Sequence, residues 1–225
     1  DFTAMPVVDN ENRLVGIITV DDIVDIIEEE TTEDMEKMAA IVPSDKPYMK
    51  TGVFETFKKR IPWLLLLMVS ATFTGAIISS FEDALSVCAV LVAYIPMLMD
   101  TGGNCGSQSS TLIIRGIALN EIRFKEIFKV MFKEFRIALV VGVILAIANG
   151  LRIYVMYQDI NIAFVIALSL IVTVILSKLI GCILPLVANQ IGLDPAIMAS
   201  PLITTIVDTC SILVYFNIAV HIFNL

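Results

Sequence analysis

From residue 61 to the C-terminus, long apolar runs alternate with short polar breaks, whereas residues 1–60 are polar and acidic. A helix that crosses the hydrocarbon core of a bilayer needs about 20 predominantly apolar residues. The run 61–81 meets that requirement without a charge. A second run starts near residue 84, passes Pro96 and a glycine-rich stretch, and reaches Leu112-Ile113-Ile114-Arg115. Runs over 137–157, 160–187 and 195–225 complete five predicted spans. Their flanks predict an orientation. Lys58, Lys59 and Arg60 precede the first span, and Arg115, Arg123, Lys125, Lys129, Lys133 and Arg136 lie between the second and third. The turns Phe81-Glu82-Asp83 and Tyr157-Gln158-Asp159 carry neither Lys nor Arg. Basic loops stay in the cytoplasm, so the N-terminal region is predicted to be cytoplasmic and the C-terminus outside.

The N-terminal pattern is different. Residues 5–20 alternate as strand, polar turn and strand, with Asp9 to Arg13 supplying the turn. Residues 21–30 read as a helix with acids in its first turn and with Ile23, Ile26 and Ile27 on its apolar face. Two strands and a helix do not close a core, so this pattern predicts further elements before residue 1. A signal peptide is not legible, because no basic stretch followed by an apolar core opens the chain.

Composition sharpens this division. The chain has 225 residues and is 57% hydrophobic, with a mean hydropathy of +0.87. Residues 1–60 hold 14 of the 23 acidic and 7 of the 15 basic residues, a net charge of −7. Such a surface attracts cations and repels nucleic acid. Cys88, Cys105, Cys182 and Cys210 lie in apolar runs without CxxC spacing and read as small buried hydrophobes.

Polar groups inside the spans carry the chemistry. Ser200, Thr204 and Asp208 recur every fourth residue, which places them on one stripe of a helix. An intramembrane carboxylate is costly unless water, a partner or a cation compensates it. Gly102, Gly103, Gly106 and Pro96 predict a broken second span, with freed carbonyls and with Asn104, Ser107, Gln108, Ser109 and Ser110 beside them. The alternative for the glycines is close helix packing. All these candidate ligands are hard oxygens, and the one histidine, His221, lies at the far end of the last span. Oxygen ligands suit Mg²⁺ or Ca²⁺, and few carboxylates around a hydrated ion suit Mg²⁺. A Na⁺ or proton path also remains open on the residues alone. Arg152 and Lys178 are predicted to snorkel to an interface, or else to line water or pair with a carboxylate.

The segment LVGIITVDDIVDII at 14–27 resembles the end of a CBS domain. PMLMDTGGNCGSQSSTLIIRG at 96–116, with DPAIMASPLITTIVD at 194–208, is similar to the MgtE family of magnesium transporters. The resemblance implies an all-α membrane protein with five transmembrane helices per subunit, preceded by the truncated end of a CBS (α/β) domain and a connecting helix. The implied divisions are 1–30 for the CBS fragment, 31–60 for the connecting or plug helix, with a match over 31–52, and 61–225 for the pore domain. It further implies a homodimer in the plasma membrane that passes Mg²⁺ inward and is closed by cytoplasmic Mg²⁺. By the same resemblance, Asp208 holds the hydrated ion and Thr204 offers its main-chain carbonyl, with Ser200 and Asn104 along the path. Asp21, Asp22, Asp25, Glu28 and Glu29 lie where the family places sensor carboxylates. A chain without most of the CBS pair is expected to lose much of its Mg²⁺-dependent closure.

Other classes fit poorly. CBS domains also occur in chloride channels, but the polar stripe ends in a carboxylate and holds no Lys or Arg. A membrane zinc protease needs a motif such as HExxH, which a single histidine cannot supply. No Walker sequence is present to couple ATP.

Overall fold

The computed structural model describes residues 2–44, 46–81, 89–198 and 200–223, and for Ser200 the backbone only. The chain opens with an antiparallel hairpin of β1 (Ala4–Val8) and β2 (Leu14–Thr19). Asp9 builds the turn, because its Oδ1 accepts from the amides of Glu11 and Arg13 at 2.8 and 2.9 Å. Asn12 takes the left-handed conformation there, with φ 59°, which asparagine tolerates better than most residues.

Helix α1 (Val20–Met38) follows directly. Thr19 is its N-cap, and a capping box forms with Asp22. The Thr19 amide and hydroxyl both donate to Asp22 Oδ2, at 2.7 and 2.6 Å. These bonds satisfy groups that the first helical turn leaves orphaned. Ile23, Ile26 and Ile27 remain exposed on α1. The helix runs through residues 30 and 31 without a break, so the two pieces divided there by sequence share one helix. Beyond Ala40 the described residues are irregular up to a 3-10 turn at Tyr48–Lys50.

Five long helices follow among the described residues: α2 (Val53–Ser80), α3 (Val90–Ala118), α4 (Ile127–Tyr157), α5 (Ile160–Gln190) and α6 (Ser200–Phe223). Four of them, α2 and α4 to α6, are long and apolar enough to cross a membrane. At 29 residues α3 is equally long, about 43 Å, but Asp100, Asn104 and Gln108 make it more polar. The expected start of this span near residue 84, and Cys88 with it, lies outside the described residues.

Helix α5 is the centre of the bundle and packs against α3, α4 and α6. One end of the core gathers Leu91, Leu98, Ile153, Ile166, Tyr215 and Phe216, all fully buried. There the Tyr215 hydroxyl donates to the Leu91 carbonyl at 2.8 Å. Helix α2 touches the bundle mainly through α6, where the Thr74 and Thr209 hydroxyls meet at 3.1 Å. Thr74 is its one buried residue among those described.

The break expected in the second span does not occur. Helix α3 continues through Pro96 and all three glycines, so no unwound carbonyls are freed there. Packing is the reason. A Cβ on Gly102 would lie 2.8 Å from Val207 Cγ1, one on Gly103 2.9 Å from Thr204 Cγ2, and one on Gly106 2.7 Å from Ile203 Cγ2. On the other side, a Cβ on Gly181 of α5 would collide with the Gly106 carbonyl. The glycines let α3 lie backbone-close to both α5 and α6, which is the packing alternative.

Candidate functional site

The glycine contacts set α3 and α6 antiparallel, with Gly103 beside Thr204 and Gly102 beside Val207 and Ser211. Ile203 and Val207 are buried in this seam. Their neighbours Thr204 and Asp208 are half-buried along its edge. Asp100, Asn104, Gln108, Thr111 and Arg115 are exposed on α3, spaced by three or four residues and therefore on one helix face. Counting one turn from the Gly103–Thr204 contact brings Asp100 and Asp208 to the same level. Asp100 is close enough to act on the Asp208 carboxylate, so the two polar stripes share one side of the seam.

Sequence reasoning assigned Asp208, Thr204 and Asn104 to this region, and the fold brings them to one edge. The Ser200 side chain lies outside the described residues. The Thr204 hydroxyl donates to the Pro201 carbonyl at 2.9 Å, and its oxygen keeps lone pairs that can face a ligand. Asp100 was missed. The signal that finds it is the every-fourth-residue spacing of Asp100, Asn104 and Gln108. Among the described residues, none of Asp100, Asn104, Gln108 and Asp208 makes a side-chain hydrogen bond or ion pair.

A second polar cluster lies on the opposite, buried face of α3. Ser109 donates to Glu134 Oε2 at 2.6 Å, and Lys178 Nζ donates to Ser109 Oγ at 3.3 Å. Lys178 and Glu134 are 3.8 Å apart, with side chains 6% and 8% exposed. Lys178 therefore does not snorkel; it pairs with a carboxylate, as the second reading held. A buried charge is tolerated when paired and hydrogen-bonded. Arg152 meets no carboxylate among the described residues and is bound instead by Asn149.

The sensor carboxylates expected on α1 fall into three groups. Asp25, Glu28 and Glu29, with Glu30, Glu33 and Glu36, line a groove of about 620 Å³ against Pro43, Ser44, Lys46 and Pro47. Asp22 is committed to the cap, and the Thr19 hydrogen bonds hold its carboxyl below the ordinary value. Asp21 does not line the groove. Among the described residues, no three His, Cys, Asp or Glu side chains form a ready-made metal cage.

The end of α1 is anchored to the bundle. Met38 packs against Ala196 and Ile114, and Lys37 Nζ reaches Asp194 Oδ2 at 2.6 Å while also pairing with Glu33. Those two partners raise the Lys37 ammonium above its ordinary value. Burial, followed by the charge of Asp194, raises the neighbouring Asp34. Ser110 of α3 donates to the Met198 carbonyl at 3.1 Å, so the segment before α6 is held from both sides.

Comparison with known proteins agrees with this layout. Residues 95–218, which span α3 to α6, match the family model described as MgtE, divalent cation transporter. Residues 1–29 match the CBS domain model. The chain is similar to the magnesium transporter MgtE of Thermus thermophilus, with 36% identity over 219 residues, and to that of Bacillus subtilis, with 40% over 220 residues. Each alignment covers 97% of this chain but 48% of the relative, so the chain spans about half the length of the curated relatives it matches. The relatives are named as transporters, not as enzymes. With the family match extending over more than half of its residues, the chain belongs to the MgtE family of divalent cation transporters.

Proposed function

We propose that the chain forms the membrane pore of a Mg²⁺ channel-type transporter, passing divalent cations into the cytoplasm down their electrochemical gradient. The observation that carries this reading is the open edge of the α3–α6 seam, where Asp208 and Asp100 stand level without a counter-charge among the described residues. An unpaired intramembrane carboxylate points to water or a passing cation. Asp208 holds the hydrated ion, Thr204 offers its carbonyl, and Asn104 and Ser200 continue the path. The relatives' name supports Mg²⁺ as the cargo.

Two further features belong to this reading. A polar stripe on an outer helix face is costly in lipid, so the path is completed by a second copy, and the working unit is a homodimer in the plasma membrane. The N-terminus lies in the cytoplasm and the C-terminus outside, following the basic loops. The groove on α1 is the cytoplasmic Mg²⁺ sensor. With the groove empty, its carboxylates repel one another, and bound Mg²⁺ cancels that repulsion and favours the closed arrangement. The membrane potential suffices as driving force, because a divalent cation moving through 100 mV gains about 4.6 kcal/mol, twice the value per elementary charge.

Mg²⁺ influx into proteoliposomes under an inside-negative potential tests the proposal, with Asp208→Ala beside the unaltered chain. Influx that is present in the chain and lost in the variant supports the path. Equal influx in both moves the path elsewhere, and influx driven only by Na⁺ or protons replaces the Mg²⁺ reading.

A further inference from the structure

Arg152 is a charged side chain that the ion path does not use. It lies on α4, five residues before the helix ends at Tyr157, in a segment apolar enough to span a membrane. Its guanidinium is held in a fixed orientation. Nε and Nη2 both donate to Asn149 Oδ1, at 3.0 and 2.8 Å. Its central carbon lies 5.9 Å from the centre of the Tyr94 ring, and Asn149 Nδ2 in turn donates to Met97 Sδ at 2.9 Å. Residues of α3 and α4 thus aim one edge of the guanidinium inward and leave the other without a partner among the described residues.

A groove of about 300 Å³ opens beside it, with Met97, Leu145, Ala148 and Leu170 forming an apolar wall and Thr101 adding one hydroxyl. Leu145 lies seven residues from Arg152 along α4, about 10 Å deeper. The surrounding surface of α4 is apolar and exposed, at Ile144, Ile147, Leu151 and Val155, as for a face in contact with lipid. The site is therefore charged at the mouth and mostly apolar below.

We propose that this groove binds a glycerophospholipid, with the phosphodiester paired to Arg152 and one acyl chain lying along Leu145, Ala148 and Leu170. Arginine cannot shed its charge, and its planar fork matches phosphate oxygens. Near the end of a spanning helix the side chain reaches the headgroup level, where phosphate is abundant. The apolar floor distinguishes a lipid from a free anion, since an aqueous phosphate gains nothing from it. The proposal does not depend on where the cation passes.

Native mass spectrometry of the full chain, released from micelles doped with phosphatidylglycerol, tests it. The unaltered chain is expected to retain the lipid. Arg152→Gln should weaken retention about tenfold or more, the scale of one lost charge-assisted contact. Leu145→Trp fills the groove while keeping the guanidinium, and should weaken retention as well. Circular dichroism establishes that both variants are folded. Millimolar inorganic phosphate should leave retention unchanged. Lipid held equally by folded Arg152→Gln, or displaced by inorganic phosphate, overturns the proposal, the second result by making the site one for a free anion.

Discussion

Two polar clusters sit on opposite faces of α3, and they differ in how their charges are met. On the buried face Ser109, Glu134 and Lys178 satisfy one another across three helices. On the open face Asp100, Asn104 and Gln108 lie beside Asp208 with no partner among the described residues. Charge alone does not separate a structural site from a functional one, since both clusters contain carboxylates at membrane depth. What separates them is completion. The closed cluster has a cation of its own, and the open one leaves that place to be filled from outside.

The sharpest way to break this comparison is to unpair the closed cluster. Lys178→Met leaves Glu134 buried without its counter-charge and is expected to destabilise the chain by about 3–5 kcal/mol, while Lys178→Met with Glu134→Gln recovers most of that. Thermal unfolding in detergent measures both. A mild single variant would mean that the pair is not what holds α3 to α4 and α5.

On the open face the expectation is reversed. Asp100→Asn should leave the unfolding temperature nearly unchanged and lower Mg²⁺ influx at limiting Mg²⁺, by about tenfold if the lost carboxylate interaction is worth roughly 1.4 kcal/mol. An altered stability with unaltered flux would place Asp100 among the structural groups.

The seam between the two faces gives a third test. Gly106→Ala places a methyl 2.7 Å from Ile203 Cγ2, and overpacking of this kind costs about 1–3 kcal/mol. Loss of flux beyond that loss of stability is expected, because both stripes are carried by the helices this change separates. The smallest effect is expected at Tyr215, where Tyr215→Phe removes the hydrogen bond to the Leu91 carbonyl, far from the open carboxylates. A cost of about 1 kcal/mol in stability, with flux unchanged, is the predicted result.

Local pattern carried much of this architecture. The hairpin, the acidic start of α1, the long apolar helices and the stripe of Thr204 and Asp208 follow from periodicity and turn chemistry. The continuity of α3 does not, because propensity sees Pro96 and three glycines as breaks, whereas close contact with Thr204, Ile203 and Gly181 keeps the helix intact. The Glu134–Lys178 pair joins residues 44 positions apart, and Lys37–Asp194 joins residues 157 apart. Nothing in one sequence states which distant charges will meet. Asp100 was within reach, since the spacing rule that isolates Asp208 on α6 also isolates Asp100, Asn104 and Gln108 on α3.

The most direct measurement is thiol accessibility on the two faces of α3. In a background with the four native cysteines replaced, Asn104→Cys and Ser109→Cys are each exposed to a small cationic thiol reagent in proteoliposomes. Modification of Asn104→Cys that blocks Mg²⁺ influx and is slowed by Mg²⁺, with Ser109→Cys left unmodified, is the predicted result. Modification of Ser109→Cys with Asn104→Cys untouched would contradict the assignment of the ion path to the open face.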